Sequence, residues 1–232
     1  MCRVLFLMVA LCLAVSTAMA QDPVTVDPKH YKLEFENDQV RVLRISYGPH
    51  EKSVMHEHLP GVEIFLTDVH VKFTLPDGKT EEAHAKAGQV IWGQRGKHLP
   101  ENLDHKPLEL ILVEIKTQPG ASPLALDPAR DPVQVDPKHY QVEFENDQVR
   151  VLRIRYGPRE QGKLHTHRPR VGVWLTDAHV KHTYPDGTAD ESRSQAGGVG
   201  WGEAVTHQGE NLSDQPFEVV VVELKRKPAT TR

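Results

Sequence analysis

The sequence predicts an all-β protein built from two tandem, small, double-sheet β-barrels. Three observations support this fold class: the chain repeats itself at a fixed offset, short segments alternate between apolar and polar residues, and Gly, Pro, Asn and Asp residues separate these segments. No segment shows the apolar periodicity of an amphipathic helix of three turns. Many short strands without such helices are typical of sandwiches and barrels.

The internal repeat has an offset of 109 residues. Residues 36–45 recur as residues 145–154 with every letter unchanged. The register continues without a gap to Glu114 and Glu223, with roughly half of the positions identical. A repeat of about a hundred residues has a normal domain size. We therefore expect two domains of the same fold.

The domain limits follow from the repeat and from composition. The repeat places the first domain at 21–116 and the second at 131–227, which we call the first and the second copy. Residues 117–130 between them are rich in proline and contain Gly120, which predicts a linker.

Residues 1–20 have the pattern of a secretory signal peptide. Arg3 supplies a positive charge, an apolar stretch follows, and Ala18-Met19-Ala20 matches the small-x-small cleavage pattern. The apolar stretch is too short to span a bilayer comfortably, although an uncleaved anchor is the alternative. After cleavage we expect a secreted or periplasmic protein without a membrane segment.

The strands of each unit can be assigned in order along the chain. Residues 40–45 and 69–74 alternate between apolar and polar side chains, which predicts strands with one buried face. Residues 76–78 read Pro-Asp-Gly, a turn signal, and residues 81–86 lead back. Residues 108–115 predict a long, largely buried strand that closes the unit.

Composition excludes several classes of protein. The formal net charge is −4, and no run of Lys and Arg provides the basic surface of a nucleic-acid-binding protein. Cys2 and Cys12 both lie in the leader, so the mature chain has neither disulfide bonds nor thiolate ligands. All fourteen histidines lie after the leader. Any metal must therefore be bound by nitrogen and oxygen donors.

One group of residues has the composition of a metal site. His56 and His58 are two residues apart on an extended segment, so their side chains point to the same face. Glu63 follows, and His98 lies downstream. Three imidazoles and a carboxylate are suitable ligands for one divalent transition metal, namely Mn, Fe, Ni, Cu or Zn.

These residues resemble the two-part pattern of the cupin superfamily, and the repeat resembles that of two-domain cupins. His56, His58 and Glu63 match the ligands of the first part, G-x5-H-x-H-x3,4-E-x6-G, while His98 and Asn102 match the end of the second. The likeness covers nearly the whole mature chain. The sequence departs from this pattern at spacing and turn positions. The glycine that opens the first part lies further before the histidine pair than the pattern expects, and His70 and Gln94 replace the expected Gly and Pro.

The second copy retains only part of this ligand set. His165, His167 and His207 are present at the same offset, but Gly172 stands where the first copy has Glu63. Arg168 and Arg170 replace Leu59 and Gly61. Loss of a carboxylate and gain of two cations weakens the binding of a cation. We therefore expect a strong metal site in the first copy and a weak or empty one in the second.

Other residues that are identical in the two copies have structural interpretations. We expect His30, His70, His139 and His179 at the surface, because polar residues flank them. Asn102 and Asn211 are expected in turns rather than as ligands. Trp92 and Trp201 are expected to pack in the core or to line the mouth of a barrel, with core packing favoured.

Several functions fit this site. The resemblance implies a metal-dependent enzyme acting on a small molecule, a dioxygenase-type oxidoreductase first and an isomerase or hydrolase second, with Glu63 as a ligand that can also act as a base. A non-catalytic protein that binds a carboxylate or a sugar is the alternative. In either case the second copy can act as an internal substitute for a second subunit. Neither the metal, the substrate nor the choice between monomer and homo-oligomer follows from the sequence.

Overall fold

The computed structural model describes residues 21–116 and 122–226. The expected signal peptide at 1–20, residues 117–121 of the expected linker and the end of the second copy lie outside the described residues. The exact domain limits and the cleavage of the leader therefore remain predictions. Within the described residues, no helix is both long enough and apolar enough to cross a membrane.

In the described residues, the first copy contains nine strands after a single helical turn. These elements are α1 (Pro23–Val26), β1 (Tyr31–Glu36), β2 (Val40–Tyr47), β3 (His56–His58), β4 (Gly61–Phe65), β5 (Val69–Thr74), β6 (Thr80–Ala85), β7 (Val90–Gly93), β8 (Gly96–Asn102) and β9 (Leu108–Ile115).

The second copy has the same elements in the same order, preceded by a short 3-10 helix at Pro128–Arg130. They are α2 (Pro132–Val135), β10 (Tyr140–Glu145), β11 (Val149–Tyr156), β12 (His165–His167), β13 (Arg170–Trp174), β14 (Ala178–Thr183), β15 (Ala189–Ser194), β16 (Val199–Gly202), β17 (Val205–Asn211) and β18 (Phe217–Leu224). The predicted tandem repeat of strands is thus present in three dimensions.

Each copy consists of two antiparallel sheets. The larger sheet of the first copy has the strand order β1-β2-β9-β4-β7, and the smaller has the order β3-β8-β5-β6. The second copy repeats both orders as β10-β11-β18-β13-β16 and β12-β17-β14-β15. Neighbours in each sheet are mostly distant in sequence, as in double-sheet jelly-roll barrels. The predicted all-β fold class is confirmed.

Strand β9 explains how the interior is formed. Alternate side chains of a strand point to opposite faces, and both faces of β9 are buried. Leu110 and Leu112 belong to the apolar cluster of the first barrel. Ile111 and Val113 belong to a second cluster that includes residues of both copies. This double burial accounts for the continuous apolar run that predicted a largely buried strand.

The two larger sheets share this second cluster as a common core. It combines valines such as Val40 and Val62 with Val149 and Val171 from the other copy, all fully buried. Paired hydrogen bonds connect the same surfaces: Arg44 Nη2 donates to Gly197 O and Arg153 Nη2 donates to Gly88 O, each at 2.6 Å. The two copies therefore pack together through equivalent faces.

The predicted Pro-Asp-Gly turn is also confirmed. It joins β5 to β6, which pair along their whole length. Gly78 has a φ of 84°, a conformation that residues with a Cβ rarely adopt. Gly187 repeats it in the second copy with a φ of 85°. This turn places β6 beside β5 and leaves the outer face of β6 exposed.

Candidate metal centres

The predicted histidines of the first copy converge on one wall of the barrel. His56 and His58 lie on β3, where the intervening residue points away and both histidines are buried. His98 lies on β8 directly opposite His56. One ligand nitrogen from each of the three rings lies within 4.8 Å of the others. The structure therefore brings together the three histidines that the period-2 argument and the downstream position singled out, and their role as metal ligands stays a prediction.

Hydrogen bonds fix which nitrogen of each ring faces the group. His56 Nδ1 donates to Val54 O at 2.8 Å, and His58 Nδ1 donates to Glu114 Oε1 at 3.1 Å. In each ring the proton is thus on Nδ1, and Nε2 carries a lone pair. The two Nε2 atoms are 3.1 Å apart. Two nitrogens that each lie about 2.1 Å from one ion at right angles are about 3 Å apart, so the pair fits a shared metal ion.

Burial keeps the rings of His56 and His98 neutral, which is the form that binds metals. Burial, together with the charge of His58, lowers the pKa of His56 to about 4. Burial and the charges of His58 and His56 lower the pKa of His98 to about 3. Neutral imidazole is the ligand form, so no proton needs to be displaced from these nitrogens at neutral pH.

Glu63, the predicted fourth ligand, lines the same cavity but does not belong to the histidine group. It lies on β4, opposite Ile91 and Leu112 of the neighbouring strands. Its carboxylate occupies the space beside Gly93, where a Cβ would lie 2.6 Å from Oε1. Burial raises the pKa of Glu63, although the charge of His58 acts in the opposite direction. Its predicted roles as ligand and base remain predictions.

The first cavity has a volume of about 300 Å³. His58, His98 and Glu63 are among its polar groups, and Phe65 and Leu110 contribute to its apolar lining. A mostly apolar cavity with a few convergent polar groups is typical of small-molecule sites. The arrangement can therefore position a small ligand next to an ion held by the histidines.

The second copy contains an equally well-formed histidine group. One ligand nitrogen from each of His165, His167 and His207 lies within 4.8 Å of the others, and all three rings are buried. His165 Nδ1 donates to Lys163 O at 2.7 Å and His167 Nδ1 to Glu223 Oε1 at 2.6 Å. The Nε2 atoms of His165 and His167 are 3.0 Å apart.

His207 provides a separate test of whether this group fits a metal. Its Nε2 is buried and has no hydrogen-bond partner among the described residues. Burying such an atom without a partner costs free energy. An ion bound to the three Nε2 atoms would remove this cost, so the donor set fits the metal expected for the second copy.

The surroundings of the second group differ from those of the first. The ring of Trp174 lies 3.4 Å from the position of a Cβ on Gly172, so it covers the place where the first copy has its carboxylate. Arg170 lines the cavity and donates to Glu203 O at 2.7 Å. Burial lowers the pKa of His207, and the charge of Arg170 contributes in the same direction. The cavity volume is about 260 Å³.

Two functional carboxylates were not identified from the sequence. Glu114 and Glu223 end the matched register of the repeat, and they are 1% and 0% exposed. Each accepts a hydrogen bond from the Nδ1 of a histidine in its copy, an arrangement that orients metal-binding imidazoles. The signal that could have found them is a glutamate in an otherwise apolar, doubly buried strand.

The expectation that His30 and His139 lie at the surface is wrong. They are 5% and 4% exposed. His30 Nδ1 lies 2.7 Å from Asp27 Oδ2, its Nε2 lies 3.0 Å from Glu51 Oε2, and its ring stacks on Tyr47 at 4.3 Å. The polar neighbours in sequence concealed this burial, because the carboxylates that bond the ring come from separate segments.

The other repeated residues lie in the framework of the barrels, and His70 and His179 are half-buried. Asn102 is the last residue of β8 and is buried there, and its Nδ2 donates to Gly48 O and Lys106 O at 2.9 Å. Trp92 and Trp201 pack against the core shared by the two copies. These residues support the framework around the histidine groups rather than the groups themselves.

The class of protein defined so far is a pair of antiparallel double-sheet barrels, each with three histidines converging on one wall, of which two are fully buried in the first copy and three in the second. No protein-family model matches the sequence, and no curated protein matches it. AerE from Microcystis aeruginosa matches the structure with a TM-score of 0.61 and 15% identity, over 84% of this chain and 93% of that chain.

Two further solved structures match this chain over different extents. An oxalate decarboxylase with Mn(II) centres from Bacillus subtilis has a TM-score of 0.56 and 14% identity, over 82% of this chain and 70% of that chain. A cupin domain from Bordetella pertussis is 28% identical over 37% of this chain and 91% of that chain, with a TM-score of 0.35. The neighbours that cover most of the chain support the cupin fold. At such low identity the likeness concerns the fold and not the activity.

Proposed function

We propose that this chain is a metal-dependent, two-domain cupin that acts on a small molecule, as an oxidoreductase of the dioxygenase type. The observation that carries the proposal is the pair of Nε2 atoms of His56 and His58, which face each other at 3.1 Å beside a cavity of about 300 Å³. Two lone pairs at this distance repel each other unless they share a cation.

The histidines of the first copy would hold the ion and fix its position. His56, His58 and His98 bind as neutral ligands, and the backbone and Glu114 hold their rings in place. When bound, an ion of Mn, Fe, Ni or Cu supplies a centre for oxygen chemistry, whereas Zn polarises a carbonyl for isomerisation or hydrolysis. Both kinds of ion leave positions that a small ligand can occupy.

Glu63 would exchange a proton with the ligand in the cavity. Burial raises the pKa of its carboxyl, and a raised pKa favours proton transfer near neutral pH. The absence of a side chain at Gly93 makes room for this carboxylate at the cavity wall. The apolar lining restricts water, which strengthens the electrostatic interactions inside the cavity.

The alternative is a binding protein without catalytic activity, and Arg170 favours this role for the second copy. Its guanidinium lines the second cavity near the histidine group, with no carboxylate equivalent to Glu63. Such a cavity fits a ligand with a carboxylate group. The shared apolar core supports a structural role for the same copy. The proposed secreted or periplasmic location depends on the expected signal peptide alone.

Metal analysis tests the proposal directly. Protein purified without a metal-affinity tag is dialysed against Mn(II), Fe(II), Ni(II), Cu(II) or Zn(II) separately, and bound metal is measured by mass spectrometry. We expect the wild-type protein to bind metal with high affinity. His98→Ala should lower the metal content by one equivalent, and His207→Ala should lower the metal content of the second copy. Exposed His105→Ala is the control and leaves the content unchanged. A wild-type protein that retains none of the five metals would contradict the proposal.

Oxygen consumption separates the enzyme from the binding protein. The loaded protein is incubated with a panel of enediols, flavonols, diketones and dicarboxylates, and dissolved oxygen is recorded. Enzymatic activity should be lost in His56→Ala and reduced in Glu63→Gln with the metal retained. Calorimetric binding of a carboxylate that Arg170→Gln abolishes, together with no oxygen uptake across the panel, would instead establish the binding role.

A further inference from the structure

A second type of donor cluster lies on the outer face of the β5–β6 hairpin. His70 on β5 is directly opposite His84 on β6, and Glu82 precedes His84 by two residues on the same strand. The neighbouring residues Val69 and Ala85 are buried inside the barrel. Since strand side chains alternate, the two histidines and Glu82 share the opposite, outer face. They therefore form a group separate from the buried histidines.

The three side chains of this outer cluster are already close together. His70 Nε2 lies 3.0 Å from Glu82 Oε2. The rings of His70 and His84 stack with centroids 4.0 Å apart and an angle of 19°. One ligand atom from each of the three residues lies within 4.8 Å of the others. Rotation about exposed side-chain bonds is enough to direct all three atoms at one point.

The chemistry of the outer cluster matches a borderline divalent ion. Two imidazoles and one carboxylate are typical ligands for Zn(II), Cu(II) and Ni(II), whereas Ca(II) and Mg(II) prefer oxygen donors only. Glu82 is 58% exposed at its side chain, so water can complete the coordination and the ion can exchange with solvent. Asp68 and Asp104 line an adjoining depression with His70 and His84, where Lys86 pairs with Asp68 at 2.8 Å.

The second copy provides a natural comparison. His179 and Glu191 occupy the equivalent positions and keep the same contact, at 3.1 Å between Nε2 and Oε2. The residue opposite His179 is Arg193, a cation without a lone pair. The second hairpin therefore keeps two donors and replaces the third with a positive charge, which opposes metal binding.

We propose that His70, Glu82 and His84 form a solvent-exchangeable site for Zn(II), Cu(II) or Ni(II) on the first copy, and that the second copy has no equivalent site. This site is independent of the buried histidines and of the proposed function. It would give the two copies different metal capacities even if both buried groups bind equally.

Zn(II) titration of the full chain tests the site with substitutions that exchange the two hairpins. His84→Arg gives the first hairpin the arrangement of the second, and Arg193→His does the reverse. Isothermal titration calorimetry on wild-type protein should show a weak binding phase. His84→Arg should lose one equivalent from this phase, and Arg193→His should gain one. Thr80→Arg adds the same charge to the same strand without removing a donor, and it should retain the equivalent.

Nitrogen-15 chemical shifts of the histidine rings locate the weak phase. Added Zn(II) should shift the ring nitrogens of His70 and His84 together and, in Arg193→His, those of His179 and the new histidine as well. Circular dichroism verifies that each variant is folded. Equal binding by wild type and His84→Arg would overturn the proposal, and so would ring nitrogens of His70 and His84 that do not respond to Zn(II).

Discussion

Glu114 and Glu223 occupy equivalent positions, but the second oxygen of each carboxylate has different surroundings. Glu223 Oε2 accepts hydrogen bonds from Arg150 at 3.0 and 2.7 Å, and Arg150 is itself buried. Glu114 Oε2 has no hydrogen-bond partner, and Arg41 Nη1 lies 3.7 Å away. The same residue therefore carries out two tasks in the second copy and only one in the first.

We predict that Glu223→Gln destabilises the protein more than Glu114→Gln does. The first change leaves the charge of Arg150 buried with only Asp131 as an ionic partner, and breaking a buried pair costs about 3 kcal/mol or more. In the second change a glutamine oxygen can still accept the bonds that His58 Nδ1 and Leu59 N donate to Glu114 Oε1, each at 3.1 Å, so the expected cost is about 1 kcal/mol. Urea unfolding of the metal-free variants measures both. Equal losses would show that the ion pair contributes nothing at this site.

We predict that the metal-free protein loses stability when the pH is lowered from 7 to 5. The pKa values of His56 and His98 are about 4 and about 3 in the folded chain. They are about 6.5 in an unfolded chain. The unfolded state then binds more protons over this range, so the free energy of unfolding falls, by on the order of 1 kcal/mol for each histidine.

The control for this pH effect is His98→Gln, which removes one of the titrating rings. Urea midpoints at pH 7 and pH 5 should differ less in this variant than in wild-type protein, after removal of metal with a chelator. A midpoint that stays constant or rises on acidification would contradict the assignment of neutral, buried imidazoles.

Among single residues, the sequence identified the donors but not the groups that orient them. His56 and His58 were predictable because a strand alternates with period 2, and His98 because the resemblance supplied a third histidine. The role of Glu114 was not predictable, since its partner lies 56 residues away in sequence. The position of Trp174 over Gly172 depends on ring packing, which no local pattern encodes.

At the scale of elements, the segments before β3 and β12 differ at several equivalent positions, and Ser53 and Gly162 form one of these pairs. Ser53 in the first copy donates its hydroxyl to Asp27 Oδ2, which also contacts the ring of His30. The second copy has Gly162 instead, and the space of a side chain is filled. A Cβ at Gly162 would lie 2.2 Å from the hydroxyl oxygen of Tyr156. The residue at this position in each segment therefore fits the contacts of its own copy.

We predict that exchanging these two residues has unequal effects. Gly162→Ser forces the buried Tyr156 to move, and such overpacking costs about 1–3 kcal/mol. Ser53→Gly removes one buried hydrogen bond and adds backbone freedom, for a loss of about 1–2 kcal/mol. The free energy of unfolding, measured in urea, and the metal content of each variant are compared with those of the wild-type protein. If Gly162→Ser is as stable as wild-type protein, the second segment has more space than its contacts indicate.

Elements were more predictable than contacts between them. Strands with one buried face, such as β2 and β5, showed clear alternation, and the Pro-Asp-Gly turn defined the β5–β6 hairpin. The three-residue strand β3 was recognised only through its two histidines, because it is too short for a periodic pattern. The pairing of β4 with both β7 and β9 is non-local, so no local pattern predicts its register.

At the scale of the whole molecule, the two larger sheets bury equivalent faces against each other. A repeat in sequence predicts two similar domains but not whether they touch. Here the contact is apolar and includes Val62 and Val113 of the first copy with Val173 and Val220 of the second. Extensive apolar contact joins the stability of one copy to that of the other, because unfolding either copy exposes this face of its partner to water.

We therefore predict that both copies unfold in one cooperative transition. Val173→Ala removes buried methyl groups from the shared core, at a cost of about 2 kcal/mol. Fluorine NMR of protein labelled with fluorotryptophan follows the copies separately, since Trp92 lies in the first copy and Trp174 and Trp201 in the second. All three native signals should disappear at the same urea concentration, and Val173→Ala should lower that concentration equally for all three. A native Trp92 signal that persists after the other two are lost would show that the copies unfold independently and that the shared core is too weak to join them.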